Sequence, residues 1–279
     1  MMADMSAQSS VDFVLRPFEG IPAEPDLVAM REIIPAATAV ATLAKEYGGR
    51  EITFVTSLPE SWPALHRTDG AVLIALQTHA GSGDLSRDLA DRILAALELE
   101  PGTPIVNQTI PGPGPRLQDI LDLTKPIDIH VHDNFDFWLD PTVERSKELD
   151  ASLKEAADAI IETVQLKSVP HAFWCRMGAR EFLRWSFAQD EEKVLDALAR
   201  LHVKRESTIG GGKYIGAFRA SGISIPVWEL PRGSEAEDIE EAAAEFLPKF
   251  TAAIDDDSAL DVYQRRARAG IVARQKTLR

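Results

Sequence analysis

Lys213–Leu230, KYIGAFRASGISIPVWEL, holds two extended runs, Lys213–Arg219 and Ile223–Leu230, about a Ser221-Gly222 turn. Apolar and β-branched residues bounded by turn residues predict a β-hairpin. Helical patterns flank it. Asp190 to His202 places Val194, Leu195, Leu198 and Leu201 on one face, and Ser234 is a candidate cap for a helix running to about Ile254. Upstream, Val169–Met177 reads as extended and Ala179–Phe187 as a short helix. Glu144–Leu166 reads as a longer helix with Leu149, Leu153, Ala156, Ile160 and Val164 inward. A hairpin among helices defines an α+β class.

The first half follows the same scheme. Phe13–Ala37, FVLRPFEGIPAEPDLVAMREIIPAA, is an extended run, a proline-punctuated loop and a helix, with Asp26 as a candidate N-cap. Leu27, Met30, Ile33 and Ile34 fall at helical spacing, and Pro35 ends or kinks that helix. Glu51–Leu58 and Ala71–Gln77 are strand-like and are expected to lie side by side. A helix follows from Ser82 or Asp84 to about Leu97. Pro111-Gly112-Pro113-Gly114-Pro115 excludes both helix and central strand. The expected organisation is a disordered 1–12, an α+β half over 13–110 and a connector over 111–126. A second α+β half follows over 127–254, then a basic tail over 255–279. Each half is expected to be a small antiparallel strand set flanked by helices.

Other stretches carry a resemblance: Ser61-Trp62-Pro63-Ala64-Leu65, Ser82 to Ala90, Gly112 to Leu121, Phe173-Trp174-Cys175, Pro226 to Pro231 and Arg266 to Gly270. With these and Phe13–Ala37, the chain resembles an actinobacterial family catalogued as a domain of unknown function. Some members of that family are labelled type II topoisomerases, and some carry an N-terminal cysteine-rich zinc segment. The resemblance implies no activity. Met1–Ser10 contains no cysteine, so it does not extend to the zinc segment.

Bulk composition narrows the classes. With 279 residues, 45% of them hydrophobic, the chain is long enough for a sizeable core, and its net charge of −14 disfavours non-specific nucleic-acid binding by the body as a whole. One cysteine, Cys175, excludes internal disulfides and a multi-cysteine zinc site. Neither a secretory signal nor an apolar run of membrane-spanning length is expected, which points to the cytoplasm.

Five motifs bear on chemistry. Asp128, His130 and His132 share one face of a strand, where they would serve a metal-dependent hydrolase, or would be the polar side of a half-exposed strand. Gly210-Gly211-Gly212-Lys213 lacks the spacing of a phosphate loop and precedes a strand. Cys175 is either a nucleophile near His171 or a buried thiol. Arg16, Glu19, Asp26 and Arg31 would bind a polar ligand, present a protein-docking segment beside Phe18, or form ion pairs that fix the loop. Trp174, Trp185 and Trp228 read as core, with Arg176, Arg180 and Arg184 interleaved as a possible basic-aromatic surface. No cofactor is called for.

The last feature is a change of charge. Between Glu235 and Asp261 the acidic residues face a single lysine, Lys249. Arg265, Arg266, Arg268, Arg274, Lys276 and Arg279 then follow with no acidic residue among them. Such a tail would contact RNA or a ribosome, or would lie on the protein's own acidic surface with Ile271, Val272 and Leu278 docking it. The expected function is a non-catalytic binding protein that contacts RNA or a ribonucleoprotein through this tail.

Overall fold

The computed structural model describes residues 12–78, 81–107, 110–142 and 144–277. The chain forms two compact units. One holds the described residues up to Arg31 and from Ala36 to Asp158; the other holds Glu32–Pro35 and Ala159 onward. Each contains helices and a mainly antiparallel sheet, so the protein is α+β in two units.

In the first unit the strands are β1 (Ala37–Thr42), β2 (Glu51–Val55), β3 (Ala64–His66), β4 (Val72–Ala75), β5 (Thr103–Ile105) and β6 (Ile129–Val131), in the order β5-β3-β4-β2-β1-β6. The two expected neighbours, β2 and β4, do pair, and they pair in parallel. All four residues of β4 are buried, as an apolar central strand requires. Pro104 sits in the edge strand β5, where a missing N–H is tolerated. The helices are α1 (Glu24–Glu32), α2 (Leu85–Leu97), the short α3 (Leu117–Ile120) and α4 (Lys147–Asp158). Asp84 caps α2 by accepting from the Ser86 N–H, and Leu89 and Ile93 are fully buried.

The Pro/Gly segment is not where the units change. β6 follows it and pairs antiparallel with β1, so 111–126 lies inside the first unit and the change falls after Asp158. A proline-rich run marks a break in regular structure, not the end of a core. The expectation for 1–12 falls almost wholly outside the described residues.

In the second unit β7 (Thr163–Gln165), β8 (Ala172–Met177), β9 (Arg180–Trp185), β10 (Lys213–Ala220), β11 (Ile223–Glu229) and β12 (Lys276–Thr277) form a sheet ordered β12-β10-β11-β9-β8-β7. Helices α5 (Glu191–Val203), α6 (Ala236–Ile254) and α7 (Val262–Val272) complete it, with α5 against both α6 and α7. The β10–β11 hairpin and α5 are where the sequence put them. Two elements differ. Ala179–Phe187 is largely strand β9, joined to β8 by a tight turn at Gly178, φ +63°. The long helix expected over Glu144–Leu166 stops at Asp158, and β7 takes up its last part.

The core of this unit is aromatic. Trp174, Trp185, Trp228 and Phe250 are essentially inaccessible, packed with Leu198 of α5 and Phe246 of α6. Each indole N–H reaches a carbonyl: Trp174 to Ser234 at 3.0 Å, Trp185 to Pro170 at 2.9 Å and Trp228 to Ser207 at 2.8 Å. Burying three tryptophans costs no unpaired donor. No helix among the described residues is long and apolar enough to cross a membrane.

Candidate functional site

The middle of the expected basic tail, with Arg265, Arg266 and Arg268, forms α7. Asp261 caps it, accepting from the N–H groups of Tyr263 and Gln264 at 2.8 Å. Ile271 is buried in the aromatic core and Ala267 packs against it. Arg268 points at α5: its Nε donates to Asp196 at 2.6 Å, and its Nη2 pairs with Glu192. At Arg268 the charge change is therefore internal, and the acidic partners come from α5, not from the nearby run Glu235–Asp261. The chain then passes β10 so closely that a Cβ on Gly216, φ +148°, would lie 2.8 Å from the Arg274 carbonyl oxygen.

The remaining cations are placed differently. Arg265 is exposed and donates to the Leu260 carbonyl. Arg266 and Arg274 are exposed, and among the described residues neither has a carboxylate within ion-pair distance. Lys276 is placed only as a residue of β12, and Arg279 and Leu278 lie outside the described residues.

Arg266 and Arg274 line a groove of about 410 Å³ with Tyr263, Gly270, Ile271, Tyr214 of β10, and His202 and Val203 at the end of α5. Tyr214 is 7% exposed, and its ring meets Trp228 edge-on at 5.7 Å. Its hydroxyl has no hydrogen-bond partner among the described residues. Burial pushes that phenol upward, and Arg274 pulls the other way. Tyr263 is 71% exposed. No carboxylate among the described residues lines the groove. Sequence alone does not join the two tyrosines: Tyr214 closes the Gly210–Lys213 run and opens the hairpin, whereas Tyr263 lies far along the chain in no motif.

The cluster at the start of the chain is an anchor. Arg16 grips Glu24 with two bonds, of 2.6 and 2.7 Å, and lies 3.6 Å from Glu19. Arg31 donates to the carbonyls of Leu76 and Thr78, and Asp26 is largely buried in α1. Gln118 donates to the carbonyls of Pro17 and Glu19 at 2.8 and 2.9 Å, tying the loop to α3. Phe18 is fully buried, so the docking-segment reading is left with Phe13 and Leu15 as the exposed apolar residues of the stretch.

The other candidates are spent as well. His132 Nε2 lies 2.9 Å from the Thr38 hydroxyl and its ring 5.1 Å from that of Phe137, while His130 and Asp128 are exposed. Among the described residues no group of three His, Cys, Asp or Glu is placed to hold a metal ion. Cys175 is fully buried, and burial pushes its thiol upward against the opposing pull of Arg184. Gly210 and Gly212 are packing glycines: a Cβ would lie 2.7 Å from Ile239 in one and 2.8 Å from the Ile209 carbonyl in the other. Arg176 pairs with Glu162, Glu181 and Glu235 and stands 4.9 Å over Trp174. It does not build a free basic-aromatic surface.

Over residues 17–279 the chain matches the model of a family described as Family of unknown function (DUF5926). No curated protein and no solved structure matches it.

Proposed function

Given that the chain belongs to this family of unknown function, we propose that it is a non-catalytic cytoplasmic binding protein that contacts RNA through α7 and the residues after it. The observation that carries the reading is the division of labour among the arginines. Arg268 holds the helix on α5, and Arg265, Arg266 and Arg274 stay exposed. Anchored cations cost less entropy to engage than cations on a mobile tail. The net charge of −14 repels a phosphate chain elsewhere and so confines contact to this strip. The groups that would support catalysis are engaged otherwise: Cys175 is buried and His132 meets Thr38.

Three phosphate contacts predict a modest salt dependence, a slope of log affinity on log salt of about −2 for single strands. Retention of a single-stranded RNA oligomer by the full chain, measured at rising salt, tests this. The triple change Arg265→Ala, Arg266→Ala, Arg274→Ala should abolish retention without unfolding the protein. Deleting α7 is a poorer test, because Ile271 belongs to the core. An intact protein that retains no RNA at low salt overturns the reading.

A further inference from the structure

We infer that the groove beside α7 is a site for a single unpaired nucleotide, its phosphate held by Tyr214, Arg266 and Arg274 and its base laid on Tyr263. The inference deepens the RNA reading by naming the unit recognised, and it rests on that reading for the class of ligand.

Four observations converge. First, the groove, at about 410 Å³, lies at the small end of ligand pockets, suited to one nucleotide and not to a duplex. Second, Tyr214 lines the groove, and its hydroxyl is buried without a hydrogen-bond partner among the described residues. A buried hydroxyl left unpaired is costly, and a phosphate oxygen is an acceptor that removes the cost. Third, Arg266 and Arg274 line the same groove as Tyr214, and no carboxylate among the described residues lines it to compete for them. Guanidinium groups suit phosphate by their forked donors. Tyr263, largely exposed on the same wall, supplies a face on which any base stacks.

Gly270 is the fourth. It sits inside α7, where glycine weakens a helix, yet a Cβ there would meet nothing within 4 Å. Packing within the chain does not ask for glycine at this position. An occupant of the groove does, since Gly270 is part of its wall.

Calorimetric titration of the full chain with adenosine monophosphate, uridine monophosphate and inorganic phosphate tests the inference, beside a single-stranded RNA and its duplex. Both nucleotides should bind, inorganic phosphate at least tenfold more weakly, and single strand in preference to duplex. Tyr214→Phe keeps the ring against Trp228 and removes only the oxygen. It should weaken nucleotide binding by roughly threefold to tenfold, the value of one hydrogen bond, with no loss of thermal stability. Nucleotide affinity unchanged in Tyr214→Phe overturns the inference, as does failure of both nucleotides to bind. If RNA is still retained in those cases, the RNA reading survives without the groove. If nucleotides bind and depend on Tyr214 while RNA is not retained, the groove stands and the RNA reading falls.

Discussion

Arg268 of α7 donates its Nε–H to Asp196 of α5 across 2.6 Å. The pair holds a helix made of the most basic part of the chain on the acidic first turns of another, where Glu192 takes the second arm of the same guanidinium. Both Arg268 and Asp196 are about a quarter to a third exposed, so solvent screens the attraction. The coupling between Arg268→Ala and Asp196→Ala in a double-mutant cycle should therefore be about 0.5–1 kcal/mol in urea unfolding. Additive effects would mean that apolar burial of Ile271 alone holds α7.

Gly216 is the second fastening. With φ at +148° and the Arg274 carbonyl 2.8 Å from where a Cβ would stand, it meets both a backbone and a steric objection to any side chain. Gly216→Ala should destabilise the second unit by about 1–3 kcal/mol. It should also raise amide exchange at β12, whose pairing with β10 begins just beyond. An unchanged melting temperature and exchange pattern would contradict the close approach.

The sequence was most readable where contacts are local. The β10–β11 hairpin, α5 with its Val194-Leu195-Leu198-Leu201 face, and α2 behind Asp84 all carry their signals within a few residues. It was least readable where pairing is distant. Nothing near Ile129–Val131 announces β1 as its partner, and nothing in the last helix announces Asp196. Strand β9 was hidden by chemistry: Arg180, Glu181 and Arg184 break up its apolar alternation. Glu181 is nonetheless buried, accepting from Arg176 at 3.1 Å and the Gly233 N–H at 3.1 Å. The groove was invisible for both reasons, as Tyr214 and Tyr263 meet only through the docking of α7.

Cys175 should behave as a structural thiol. It is fully buried in β8, between the strands β7 and β9, and burial pushes its ionisation upward even with Arg184 near. Iodoacetamide should leave it unmodified in the native protein and alkylate it fully in denaturant. Labelling in native buffer at the rate of a model thiol would reopen the nucleophile reading.

His132 gives the first unit a pH dependence of definite sign. Burial disfavours its imidazolium, and His130 adds repulsion; Asp133 opposes both, and the net effect holds the group below its ordinary 6.5. In the unfolded chain the ring takes its proton near that value, whereas in the folded chain it does so only at lower pH. Between those two points the unfolded state binds more protons, so stability rises with pH. The contribution is complete above about pH 6.5 and is lost as pH falls toward the folded-state value. Replacing the ring with glutamine, His132→Gln, keeps a polar partner for Thr38 and removes the titration. Urea midpoints between pH 7.5 and 5 should fall less steeply in that variant than in the parent. Parallel pH profiles would show that His132 ionises alike in both states, and the burial argument just after β6 would fail.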